Sequence, residues 1–278
     1  MYKNKEELLE LLKKEHLWSQ KQLGQNFLIN HSIIDAIIKA AELKKNDDII
    51  EVGPGLGILT EELLERAGHV RSIELDPKII PYLKKTFGRN TRFELEEGTA
   101  LKAKLPAKPY KLVANIPYYI TSPLLRHFLQ PKEPAQKSPT LIVLLVQKEV
   151  AEKICAQDGE HTILSLQVQV FGKPSIVQTV DASSFYPAPK VDSAILKVEV
   201  YKEPRIQDLK LFSTITRIAF HQRRKTLGNT IKNHLQISRE EVDQLFETIN
   251  IDPSQRPQEL SLGEWTKLIT SLKPFLST

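Results

Sequence analysis

One cysteine, Cys155, stands in 278 residues, so no disulfide can close within the chain and no thiolate cluster is on offer to a metal. No apolar run approaches the roughly 20 residues that cross a bilayer. No internal repeat marks a solenoid or propeller. The opening stretch, Lys3 to Glu15, is charged and amphipathic, unlike a secretory leader. These absences predict a cytoplasmic protein with no metal and no membrane partner. Charge of one sign is also scarce, since Lys and Arg exceed Asp and Glu by only five.

That small excess is unevenly placed. Between Arg205 and Arg239 eight basic residues face one acid, Asp208, a local balance of +7 that leaves the rest of the chain at −2. A basic stretch of this kind suits a polyanion such as RNA, although a solvated helix face has the same composition. The pattern around it is entirely helical: Leu209 to His221, Thr226 to Leu235, Glu240 to Ile249 and Leu262 to Leu272, with Ser238-x-x-Glu241 and Ser261-x-x-Glu264 as capping boxes. Before Glu203-Pro204, strands and helices alternate. That alternation predicts an α/β fold, a twisted and mainly parallel Rossmann-like sheet with helices on both faces. The expected division is 1–202 for this domain, with an N-terminal helical extension, and 203–278 for a small all-helical domain.

Two features point to a ligand. Asp48 to Val52 reads as a buried strand that runs into Gly53-Pro54-Gly55-Leu56-Gly57 and then a helix from Ile58 to Arg66. Glycines there allow close backbone approach, and the helix start offers free N–H groups. Glycine spacing alone is weak. The next strand, Val70 to Glu74, ends on a carboxylate 21 residues past Gly53, where a Rossmann-like sheet holds ribose hydroxyls. The fingerprint's last glycine is missing, which favours an adenosyl ligand without a pyrophosphate.

A second apolar run, Lys111 to Ala114, stops at Asn115-Ile116-Pro117-Tyr118. Pro117 removes its own N–H and pushes Ile116 toward an extended backbone, so that the Asn115 amide and the Ile116 carbonyl can converge on one external group. Two acceptors on one amino group would localise a delocalised exocyclic lone pair, and Tyr118 would stack on an extruded base. Methyl transfer to a nucleic-acid amine needs that arrangement. By itself the tetrapeptide is equally a strand ending in an Asn-x-Pro turn with a core tyrosine. Ser183 to Lys190 reads as a stiff proline loop in which Phe185 is either an anchor or a second stacking face.

Taken in order, Leu23-Gly-Gln-Asn-Phe-Leu28, Glu51-Val-Gly-Pro-Gly-Leu-Gly57, Ile73-Glu-Leu-Asp76, Asn115-Ile-Pro-Tyr118, Val146-Gln-Lys-Glu-Val-Ala151, Phe185-Tyr-Pro-Ala-Pro-Lys-Val-Asp-Ser193 and Phe220-His-Gln-Arg-Arg-Lys-Thr-Leu227 resemble the ribosomal RNA adenine N6-dimethyltransferases. Relatives of that family include the macrolide-resistance methylases and the mitochondrial transcription factor B proteins. The last two motifs and the helical tail look most like the small-subunit branch, which dimethylates two adjacent adenines in a terminal hairpin loop. The resemblance implies a class I fold and S-adenosylmethionine as donor. It places cofactor contacts at Gln25, Asn26, Leu28, Gly53, Gly55, Gly57, Glu74, Leu75, Thr99, Ala100 and Asn115. It places catalysis at Asn115, Ile116, Pro117, Tyr118 and Phe185, and rRNA phosphate contacts at Arg223, Arg224 and Lys225. The implied partner is the small ribosomal subunit, met by a monomer in ribosome biogenesis. Two positions depart from the pattern: Thr99 stands where relatives often carry Asp, and Asn26 where the assembly branch has His, a change shared with the resistance branch. A large-subunit resistance methylase and a binding factor with a vestigial cofactor pocket are the alternatives.

Overall fold

Seven strands, in the order β4-β3-β2-β5-β6-β9-β7, organise the first part of the computed structural model, which describes residues 1–276. In chain order the elements are α1 (Lys5–Lys14), β1 (Phe27–Leu28), α2 (His31–Ala41), β2 (Asp48–Val52), α3 (Ile58–Arg66), β3 (His69–Glu74), α4 (Ile80–Phe87), β4 (Phe93–Glu97), β5 (Lys111–Asn115), α5 (Thr121–Leu129), β6 (Leu141–Gln147), α6 (Lys148–Ile154), α7 (Ile163–Gln169), β7 (Gly172–Val180), β8 (Phe185–Tyr186) and β9 (Ser193–Val200). Strand β2 pairs in parallel with β3 on one side and β5 on the other, and β6 continues from β5. Strand order therefore reverses between β2 and β5. Ligands of open α/β sheets sit at such a reversal, outside the carboxyl ends of the strands. Strand β9 runs antiparallel to β6.

Burial explains why these runs become central strands. Leu112, Val113 and Ala114 in β5 and Ile142 through Val146 in β6 have no exposed surface, and each fully buried aliphatic side chain contributes about 1.5–3 kcal/mol. The N-terminal helix is set by Asn4, whose side chain accepts from the Glu7 N–H while Glu7 accepts from the Lys3 N–H. Helix α4 starts after a turn and not directly at Pro77, which follows the end of β3. The Asp76 carboxylate takes the Lys78 N–H at 3.0 Å, which holds a turn, and the helix proper begins at Ile80 with Pro81 in its first turn.

A two-stranded ribbon lies apart from the large sheet: β1 pairs antiparallel with β8, Phe27 opposite Tyr186 and Leu28 opposite Phe185. The segment expected to be an irregular proline loop thus supplies a strand, and its Tyr186–Pro187 bond is cis.

The chain divides into two compact units. The first is Met1–Ala151 with Lys173–Val200; the second gathers Glu152–Gly172 with the chain from Tyr201 onward. A short stretch that the sequence pattern placed in the α/β part, including α7, therefore packs with the tail. Backbone bonds fasten it: the His161 N–H donates to the Gln258 carbonyl, and the Tyr201 and Arg205 N–H groups donate to the Phe171 and Val170 carbonyls. The other helices of the second unit are α8 (Leu209–His221), α9 (Leu227–Leu235), α10 (Arg239–Ile249) and α11 (Leu262–Leu272). Both capping boxes expected at Ser238 and Ser261 form. Trp265, Phe246, Phe212 and Ile215 fill the core of this unit, with Phe220 stacked on Trp265 at 6.2 Å between ring centres. No helix among the described residues is long and apolar enough to cross a membrane.

Candidate active site

A cavity of about 250 Å³ opens at the carboxyl ends of β2, β3 and β5, inside the first unit. Most of the residues singled out in the sequence line it: Gln25, Asn26 and Leu28 from the N-terminal loop, Gly53 and Gly55 after β2, and Glu74 and Leu75 at the end of β3. Thr99 and Ala100 after β4 and Asn115 through Tyr118 after β5 complete the set. Five sequence-distant segments meet there because the strand order reverses between β2 and β5.

Glu74 is 5% exposed, and backbone N–H groups hold its carboxylate in place. Oε1 accepts from the Leu75 and Asp76 N–H groups at 2.8 Å, and Oε2 from the Gly55 N–H at 3.3 Å. Burial raises its pKa, and these N–H donors oppose the rise. A fixed carboxylate with a long, single contact on Oε2 retains capacity for a ribose hydroxyl. Thr99 caps the short 3₁₀ turn Ala100–Lys102, its Oγ1 accepting from the Leu101 N–H at 3.4 Å. The hydroxyl proton is left to donate, but there is no charge where relatives often have Asp.

The loop before β1 is held by one buried acid. Asp76, 1% exposed, accepts from Gln20 Nε2 at 2.7 Å and Gln25 Nε2 at 2.8 Å, and Gln25 Oε1 takes the Gln20 N–H. Both polar ends of Gln25 are thus spent on the loop's own support. Asn26 Nδ2 turns back to the Gly24 carbonyl.

At the end of β5, Asn115 Nδ2 donates to the Asn26 carbonyl at 3.4 Å, so Oδ1 is the end available to a substrate amine. Ile116 is 2% exposed and anchors the turn. Tyr118 begins a 3₁₀ turn, Tyr118–Ile120, and its hydroxyl is 2.6 Å from Ser193 Oγ at the start of β9. This contact and burial fix the half-buried ring; burial raises the phenol's pKa.

Other expected residues lie elsewhere. Gly57 caps α3 but does not line the cavity; a Cβ there would come 2.3 Å from the Phe87 ring. Phe185 is 3% exposed in the core, paired with Leu28, and does not line the cavity. Arg223, Arg224 and Lys225 are exposed in the turn between α8 and α9 of the second unit.

Sequence reasoning missed Glu51. It lines the cavity from β2, is 1% exposed, and accepts on Oε2 from Thr60 Oγ1 (2.7 Å) and Ser72 Oγ (2.6 Å), while Oε1 has no partner. An acid inside the otherwise apolar run Ile49 to Val52 was the available signal. Burial pushes its pKa up to about 7; the two hydroxyls oppose the rise and neighbouring Glu74 adds to it. The native carboxyl keeps its proton over a range where the unfolded chain, with an ordinary value of 4.5, has lost it. Stability is therefore expected to fall as pH rises from 4.5 to about 7 and then level off. Glu51→Gln removes that slope. We expect the variant to match wild type near pH 4.5 and exceed it at pH 8 by on the order of 2–3 kcal/mol, read by urea denaturation at both pH values. An equal margin at both would contradict a protonated Glu51.

The family model for ribosomal RNA adenine dimethylases matches residues 18–273. The chain is 43% identical over 267 residues to a protein of Dehalococcoides mccartyi named ribosomal RNA small subunit methyltransferase A, covering 93% of this chain and 90% of the relative. A protein of the same name from Clostridium botulinum is 41% identical over 268 residues, covering 93% and 96%. The chain belongs to the ribosomal RNA adenine dimethylase family. Among solved structures, a dimethyladenosine transferase from Plasmodium falciparum superposes with a TM-score of 0.80 at 30% identity, covering 90% of this chain and 98% of that one. The 23S rRNA methyltransferase ErmE gives 0.73 at 26% identity over 89% and 99%. The fold is that of class I S-adenosylmethionine-dependent methyltransferases, and the dimethylase cofactor is S-adenosylmethionine. The donor set fits that molecule: a fixed carboxylate for a ribose, Thr99 beyond it, and glycine backbone between β2 and α3.

Proposed function

We propose that this dimethylase transfers methyl groups to the N6 amino nitrogen of two adjacent adenines in the 3′-terminal hairpin loop of small-subunit (16S) ribosomal RNA. The reading rests above all on Asn115, which shares one cavity with the Gly53–Gly55 backbone and Glu74. Bound S-adenosylmethionine supplies an electrophilic methyl group. Gly53, Gly55, Glu74, Leu75, Thr99, Ala100, Asn26 and Leu28 hold it, with Gln25 bracing the loop. Asn115 Oδ1 and the Ile116 carbonyl accept the two N–H bonds of the amine and turn its lone pair toward the donor, while Tyr118 supports the base. Orientation and charge placement lower the barrier without a covalent enzyme intermediate. In the second transfer only one N–H remains, so one of the two acceptors releases its hold.

The helical part from residue 203 binds RNA, and Arg223, Arg224 and Lys225 set its position through phosphates. The catalytic part comprises the first 202 residues apart from the stretch Glu152–Gly172, which packs with the helical tail. The enzyme acts in the cytoplasm, as a monomer, on the small subunit during its assembly.

The test is transfer of labelled methyl groups to unmethylated small subunits, large subunits and naked RNA. Dimethyladenine on small subunits is the expected product. Label on large-subunit RNA instead would select the activity named for ErmE. Binding without transfer would leave a nucleic-acid-binding factor.

A further inference from the structure

We propose that Tyr119 is a stacking platform for the RNA base next to the one held in the cavity. The inference rests on the functional reading above and adds a residue that it does not use. Tyr118 and Tyr119 share one 3₁₀ turn yet differ in setting. Tyr118 is half-buried and tied to Ser193, whereas Tyr119 is 61% exposed and lines the same cavity at its rim. A tyrosine placed for packing would bury its ring; this one rests an edge on Gly24 and leaves most of its surface to solvent. Gly24 has a left-handed backbone, φ +64, and an added Cβ would meet Pro117 at 3.3 Å and the Tyr119 ring at 3.4 Å. The missing side chain lets the ring lie against the loop.

Drawing a base out of a strand deprives its neighbours of a stacking partner. An exposed aromatic beside the entrance replaces that partner, and it does so with little regard to base identity, because every base presents a π-face. Tyr119 would therefore strengthen engagement of the RNA without choosing its sequence and without touching the cofactor.

The full chain is compared as wild type, Tyr119→Phe, Tyr119→Leu and Tyr119→Ala, with unmethylated small subunits as substrate. Loss of the ring is expected to raise KM for RNA roughly five- to a hundred-fold, the range set by one base–aromatic stack, with kcat at saturation changed less than threefold. Tyr119→Phe should behave as wild type, since stacking needs no hydroxyl, and Tyr119→Leu should behave as Tyr119→Ala. Calorimetric titration with S-adenosylhomocysteine should give one dissociation constant for all four. A weakened S-adenosylhomocysteine affinity in the alanine variant would make Tyr119 a cofactor cover and overturn the proposal. So would an unchanged KM, or a lowered melting temperature with KM unaffected. If wild type itself transfers no methyl group, the functional reading fails; if wild type transfers and Tyr119→Ala matches it, only this inference does.

Discussion

Asn115→Ala is expected to lower kcat for adenine methylation about a thousand-fold, with the melting temperature within a few degrees of wild type. The magnitude follows from what is lost. One of two acceptors that localise the amine's lone pair disappears, and removing a single preorganised polar group that acts in the transition state typically costs 10²–10³ in rate. The second acceptor, the Ile116 carbonyl, stays but can no longer aim the amine alone. Asn115 Nδ2 makes one long bond to the Asn26 carbonyl, 3.4 Å, so little fold stability goes with it. Asn115→Asp separates the two ends of the amide. It keeps an acceptor for substrate but sets an oxygen against the Asn26 carbonyl, and should be impaired through the loop. Single-turnover methyl transfer to small subunits measures both variants. A rate for Asn115→Ala within tenfold of wild type would remove Asn115 from the chemistry.

Gly57→Ala should destabilise the first unit by about 2–5 kcal/mol, summing overpacking of about 1–3 and a left-handed backbone of about 1–2. Gly57 has φ +83, and an added Cβ would lie 2.3 and 2.7 Å from two atoms of the Phe87 ring. Phe87 closes α4, is 8% exposed, and is itself packed against Phe93 at 5.3 Å between ring centres, so it cannot simply swing aside. Adding Phe87→Leu should recover the steric share and leave the backbone share. Denaturant midpoints give the stability, and S-adenosylhomocysteine titration gives the affinity of the folded fraction, expected to change less than threefold. Stability retained with cofactor binding lost would return Gly57 to the ligand role that its motif suggests.

Much of this site was legible because long apolar runs and glycine turns obey local rules. The span Ile58–Arg66 and the strand ending at Asn115 could be read directly, and so could the acid at Glu74. Less accessible were features whose cause is distant in sequence. The β1–β8 ribbon has two residues per strand, too few for any periodicity, and exists only because Leu28 and Phe185 meet in the core. Phe185 and Gly57 carry motif signatures that do not distinguish packing from contact with a ligand. Glu51 looked like part of a strand, because the hydroxyls that surround it come from Thr60 and Ser72 on other elements. The stretch Glu152–Gly172 joins the second unit through backbone bonds, from Tyr201 and Arg205 to Phe171 and Val170 and from His161 to Gln258, that no side-chain pattern records.

The ribbon also orders events during synthesis. The loop carrying Gln25 and Asn26 leads directly into β1, whose partner β8 is made more than 150 residues later, with the Ile29 N–H bonded to the Ser184 carbonyl beside it. A nascent chain that has completed β2, α3, β3 and β5 already owns the glycine turn, Glu74 and Asn115, yet its N-terminal strand has no mate. Closing so long a loop comes late in folding. The ribbon can therefore form only once β8 has left the ribosome, so a nascent chain carries the Gln25–Asn26 loop without its strand partner until nearly the whole α/β part is made.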